Sequence, residues 1–142
     1  MPRRVQALTL VDGLFQLSFL LHNTLARVSS EHDLSIIQVR LLGILRDREP
    51  AMFELAQHLE LEKSSLSGLV DRAEARGLVE RIPSPDDRRA AHVRVTAQGR
   101  KLSRVIEQEV NVEVEQLVTV LSRSERDRFA SVVSQVVTAA GR

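Results

Sequence analysis

The sequence predicts a mainly α-helical chain carrying one small β-hairpin of two to three strands, and three observations support this. Apolar residues recur at steps of three and four near both chain ends, which is the mark of long amphipathic helices. Shorter helical segments with clear start and stop signals fill the middle. A single stretch rich in proline and aspartate, flanked by two β-prone runs, supplies the hairpin.

Taken in order, Leu10, Leu14, Leu17, Leu21, Leu25 and Val28 place a first helix over roughly residues 6–30, its apolar surface widened by Phe15 and Phe19. Ser35 and Gln38 match a capping box, and Ile37, Leu41, Leu42 and Leu45 carry a second helix to the Arg46–Pro50 stretch. A short third helix follows Pro50 with Leu55, Ala56 and Leu59 on one side. The fourth runs from Lys63 to Arg76 and is closed by Gly77. Leu78–Ile82 and Ala91–Val95 read as strands around Pro83-Ser84-Pro85-Asp86-Asp87-Arg88-Arg89, a turn-forming run. Thr96 is suited to cap a long fifth helix carrying Leu102, Ile106, Val110, Val114, Leu117 and Leu121. After Ser122-Arg123-Ser124, a last helix sets Phe129, Val132, Val133, Val136 and Val137 on one stripe.

Composition narrows the function classes. With 43% hydrophobic and 27% charged residues the chain reads as an ordinary globular protein, and no apolar run reaches the roughly 20 residues of a membrane span. No leader is expected, and the expected location is the cytoplasm. Cysteine is absent, which excludes disulfides and thiolate metal sites. His22, His32, His58 and His92 are too dispersed for a local metal motif, so neither metal nor cofactor is expected. The net charge of +1 hides a segregation: residues 63–104 carry ten Lys or Arg against five Asp or Glu, and the remainder ten against fourteen. Such a basic stretch suits phosphate binding, although a solvated face produces similar runs. With no Trp or Tyr to stack on bases, duplex DNA is favoured over single strands or RNA.

The fourth helix is the informative element. Leu66, Leu69, Val70 and Ala73 share one side, while Ser64, Gly68, Asp71 and Ala75 lie opposite, flanked by Ser67 and Arg72. An ordinary surface helix is more often loaded with Glu and Lys there. A small, polar outer face can sit deep in a major groove of about 12 Å, with Lys63 and Arg76 serving the backbone at either end. Small Ala56 at a helix crossing and the short Glu60-Leu61-Glu62 link fit a helix-turn-helix. The expected reading helix therefore comprises Lys63, Ser64, Ser65, Ser67, Gly68, Asp71, Arg72 and Arg76. The hairpin, or wing, adds Asp87, Arg88, Arg89, His92 and Arg94, with arginines suited to a narrow minor groove and Asp87 expected to pair with Arg89. A winged helix that binds an acidic protein partner is the alternative, distinguished by whether one duplex sequence is preferred. No nucleophile, base and orienting group stand at a recognisable spacing, so the chain is not expected to be an enzyme.

These residues resemble the multiple antibiotic resistance (MarR) family of regulators. The resemblance rests on Glu54-Leu55-Ala56, Leu66-Ser67-Gly68-Leu69-Val70-Asp71-Arg72, Arg76-Gly77-Leu78-Val79-Glu80-Arg81, Ser84-Pro85-Asp86-Asp87-Arg88-Arg89-Ala90 and Thr96-Ala97-Gln98-Gly99-Arg100. It implies a single domain over 1–142, a winged helix-turn-helix at 35–95 joined to dimerisation helices at 6–33 and 97–140. It further implies a homodimer that reads a pseudo-palindromic operator, with half-sites about 10 bp apart. A regulator of this kind typically represses, and is released by a small aromatic or phenolic effector. Phe15, Phe19, His22 and Phe53 are the candidates for lining the effector cleft, and plain core packing is the competing role for each. Two positions depart from the family pattern: Glu60 replaces the glycine of the turn, and Ala73 replaces a core leucine. Glu60 must accept an unusual backbone angle, or the turn differs.

Overall fold

The computed structural model describes residues 7–84, 86 and 90–141. The element order is α1 (Leu10–Glu31), α2 (Ile36–Leu45), α3 (Met52–Leu59), α4 (Lys63–Ala75), β1 (Val79–Pro83), β2 (Ala91–Val95), α5 (Ala97–Leu117) and α6 (Arg123–Ala140). The chain falls into two compact units, one ending at Val110 and the other beginning at Asn111.

In the first unit a single core gathers Val28 and Leu34, Leu41, Leu42 and Leu45 of α2, Leu55 and Leu59 of α3, the inner face of α4, Leu78, Val79, Val93 and Ile106. Local chemistry fixes where the helices start. Thr9 Oγ1 accepts from the Asp12 N–H at 3.1 Å, so α1 begins at Leu10 rather than near residue 6. The capping box forms as expected, with Ser35 Oγ accepting from the Gln38 N–H and the Gln38 side chain accepting from the Ser35 N–H. Thr96 Oγ1 accepts from the Gly99 N–H at 3.0 Å and donates to the Gly77 carbonyl at 2.6 Å. This double role ties the start of α5 to the end of α4. Gly99 is required there by close approach, since a Cβ would stand 2.0 Å from the Leu78 carbonyl oxygen.

Three helices stop in one way. Asp33, Glu60 and Gly77 take left-handed angles, with φ of 57°, 53° and 74°. In each case the next residue is a leucine whose N–H reaches back 3.0 Å to a carbonyl: Leu34 to Ser29, Leu61 to Ala56, and Leu78 to Ala73. These are Schellman closures, with the leucine folded under the turn. Glu60 therefore does adopt the unusual angle while keeping the turn geometry. The same closure takes up Leu78, so β1 begins one residue later than its apolar run suggests.

β1 and β2 pair antiparallel from Val79↔Val95 to Pro83↔Ala91. An isolated bridge, Ala51↔His92, adds a rudimentary third strand beside the hairpin. In the second unit α5 ends at Leu117, short of Leu121, because a turn stabilised by the Thr119 hydroxyl on the Gln116 carbonyl intervenes. Ser122 Oγ then accepts from the Glu125 N–H at 3.2 Å and starts α6. None of the residues of α6 is buried, and Phe129, Val132, Val133, Val136 and Val137 stay exposed.

Candidate nucleic-acid interface

Helix α4 is rooted by Leu66, Leu69, Val70 and Ala73, all buried. What it turns outward is small or polar: Ser64, Ser65, Asp71 and Arg72 are exposed, Ser67 and Gly68 half-buried, and Lys63 stands exposed at its first turn. A Cβ at Gly68 would come within 3.2 Å of Arg72 Nη1, so the glycine leaves room for the guanidinium to lie back along this face.

The helix starts differ across the fold. Helices α1, α2, α5 and α6 begin at the side-chain caps Thr9, Ser35, Thr96 and Ser122. Helices α3 and α4, the helix-turn-helix pair, begin at Ala51 and Glu62 with no side-chain cap bond. The first-turn N–H groups of a helix have no intrahelical acceptor, and its dipole favours negative charge there. Oxygen atoms of a phosphate backbone satisfy both requirements.

The wing is braced against α4 by a residue that the sequence reading did not single out. Arg81 Nη2 lies 2.7 Å from Asp71 Oδ1, and its Nη1 lies 2.8 Å from Glu74 Oε1. The Arg81 N–H also donates to Glu74 at 3.0 Å. Asp71, expected to face DNA, is therefore engaged in holding β1 to α4. The signal was present: Arg81 has the parity of inward-facing Val79, and an arginine on that face needs acids such as Asp71 and Glu74, one helical turn apart.

Two further expected contacts have internal tasks. Arg76 donates from Nη1 to the Asp33 carbonyl at 2.7 Å and from Nη2 to the His32 carbonyl at 3.2 Å, joining the end of α4 to the turn after α1. His92 Nδ1 lies 2.7 Å from the Glu49 carbonyl, which makes that nitrogen the donor and ties β2 to the α2–α3 link. Arg94 stays half-exposed and pairs with Glu80 at 2.5 Å across the hairpin. Asp87, Arg88 and Arg89 lie outside the described residues.

Of the residues considered for an effector, Phe15, Phe19 and His22 are exposed on α1. Phe53 lines a groove of about 470 Å³ with residues of α3, α4 and the wing base, and none of the three α1 residues lines that groove. Among the described residues no group of His, Asp and Glu is placed to hold a metal ion, and no helix is long and apolar enough to cross a membrane.

Comparison with known proteins gives a consistent answer. A model of the MarR family matches residues 32–90, the stretch that holds the helix-turn-helix and most of the wing. The HTH-type transcriptional regulator PecS of Dickeya dadantii (strain 3937) is 26% identical over 137 residues, covering 93% of this chain and 82% of PecS. The crystal structure of wild-type MarR from E. coli in its apo form superposes with a TM-score of 0.80 at 23% identity, covering 92% of this chain and 98% of that one. The S. aureus MepR–DNA complex gives a TM-score of 0.73 at 18% identity, covering 94% and 99%. The chain thus has the winged helix-turn-helix fold of MarR over nearly its whole length, and residues 32–90 match the MarR family model.

Proposed function

We propose that the protein is a homodimeric transcription regulator that binds a pseudo-palindromic duplex operator, α4 reading the major groove and the wing entering the minor groove. The observation that carries this is the pairing, on α4, of a buried apolar side with a small polar outer side, at a helix start lacking a side-chain cap. MepR, which shares the fold, has been solved bound to DNA, and PecS is by name a transcriptional regulator. Exposed apolar residues along α1 and α6 favour a second copy as the dimer partner, because surface of this kind is rarely left in water. Repression is the expected output. Release is by a small aromatic or phenolic anion, for which Phe15, Phe19 and His22 offer an aromatic surface with one polar group.

The test is selection of bound duplexes from a random library at near-physiological salt, followed by affinity for the winner against a scrambled duplex. The expected winner is palindromic and bound about a thousandfold more tightly than the scramble. No enriched sequence, with binding to acidic protein instead, would sink the reading in favour of an interaction module. Arg89→Ala is expected to lower operator affinity about 5- to 150-fold while the dimer stays intact, the loss of one arginine contact being worth about 1–3 kcal/mol. Titration with a panel of aromatic and phenolic anions, read as release of operator DNA, tests the effector.

A further inference from the structure

The groove beside Phe53 lies between the two elements assigned to the two grooves of DNA. Its walls come from Met52 and Phe53 of α3, Lys63 and Ser67 of α4, and Ala90 and Ala91 where the chain enters β2. If α4 occupies a major groove and the wing the neighbouring minor groove, the sugar–phosphate strand separating those grooves must pass between them. This groove is the depression available to it. The inference therefore rests on the DNA-binding reading and deepens it.

The chemistry of the walls fits one part of that strand. Phe53 is 67% exposed, in the first turn of α3, and contributes nothing to the buried core. The alanines and Met52 extend the apolar surface, and Lys63 supplies a single ammonium with the Ser67 hydroxyl nearby. A deoxyribose presents a CH₂ at its 2′ position where a ribose presents a hydroxyl. Against an apolar wall that hydroxyl would be desolvated without a partner, at a cost the CH₂ does not incur. The phosphate beside the sugar meets the ammonium.

We propose that this groove seats one deoxyribose–phosphate unit per half-site, the sugar against Phe53 and the phosphate at Lys63, and that it makes the protein selective for DNA at that position. The experiment is a ribonucleotide scan. Each position of the selected operator is replaced singly by its ribonucleotide, and affinity is measured for the full-length protein and for Phe53→Ala, with thermal melting to confirm that the variant folds. One position per half-site is expected to lose about tenfold in the wild type, equivalent to about 1.4 kcal/mol. Phe53→Ala is expected to bind all-DNA operator more weakly and to lose that sensitivity, while Phe53→Leu keeps part of it. Lys63→Ala should lower the salt dependence by about one released counterion. A flat scan overturns the proposal, as does a sensitive position that persists in Phe53→Ala, since the cause would then be sugar pucker. Both results leave operator binding standing. Absence of any preferred duplex overturns the regulator reading and this proposal together.

Discussion

The winged region and the chain ends treat apolar residues in opposite ways. In the first, leucines and valines from four helices and both strands close into one core. On α6 a stripe of equal regularity stays exposed among the described residues. Helix α1 shows the transition within one element: along its apolar side Leu10 is 79% exposed, Leu14 55%, Leu21 38% and Val28 1%. Helical periodicity therefore tells where apolar surface lies, and only the tertiary contacts tell whether this chain or another covers it. The winged region covers its apolar residues with its own chain, and under the proposed dimer the stripe of α6 is left for a second copy to cover.

The sharpest way to break that contrast is a charge on the uncovered stripe. Val133→Asp is expected to leave the winged core folded and to abolish the dimer, since an unpaired charge at an apolar interface costs several kcal/mol. Operator affinity should fall at least about a hundredfold when the half-sites are no longer read together. Sedimentation and a binding titration check it, and a variant that stays dimeric would show that α6 is not the dimer surface. The converse change lies in the covered region: Gly99→Ala should cost about 1–3 kcal/mol in urea unfolding, because its Cβ is forced against the Leu78 carbonyl. Next comes the brace between wing and α4. Arg81→Met is expected to cost only about 1 kcal/mol of stability, as the ion pairs are partly exposed, yet to weaken operator binding severalfold by freeing the wing. The smallest effect has the opposite sign. Glu60→Gly should stabilise by about 1 kcal/mol, removing the strain of a left-handed non-glycine residue; unchanged stability would mean that the Glu60 side chain compensates.

Legibility followed the range of the interactions. The capping box at Ser35 and Gln38, the buried set on α4, the hairpin and the Gly77 closure are set within a few residues, and all were visible as spacing. Roles that depend on residues distant in sequence were not. Asp71, His92 and Arg76 were all expected at the DNA face, and the structure gives each an internal partner as well: Arg81 for Asp71, the Glu49 carbonyl for His92, and the turn after α1 for Arg76. In each case the sequence showed a charged or polar group correctly placed on its element, but not the partner that had already engaged it. The angle at Glu60 lay between: the departure from glycine was visible, and only the backbone shows that strain was accepted in place of a new turn.

The clasp at Arg76 has a mechanical meaning. Its guanidinium donates to two successive carbonyls in the turn that closes α1, so the far end of α4 is tied to the buried end of a helix whose first residues are exposed. A tilt of α1 would therefore be met at the end of α4 by two hydrogen bonds from one side chain as well as by the packing between the helices.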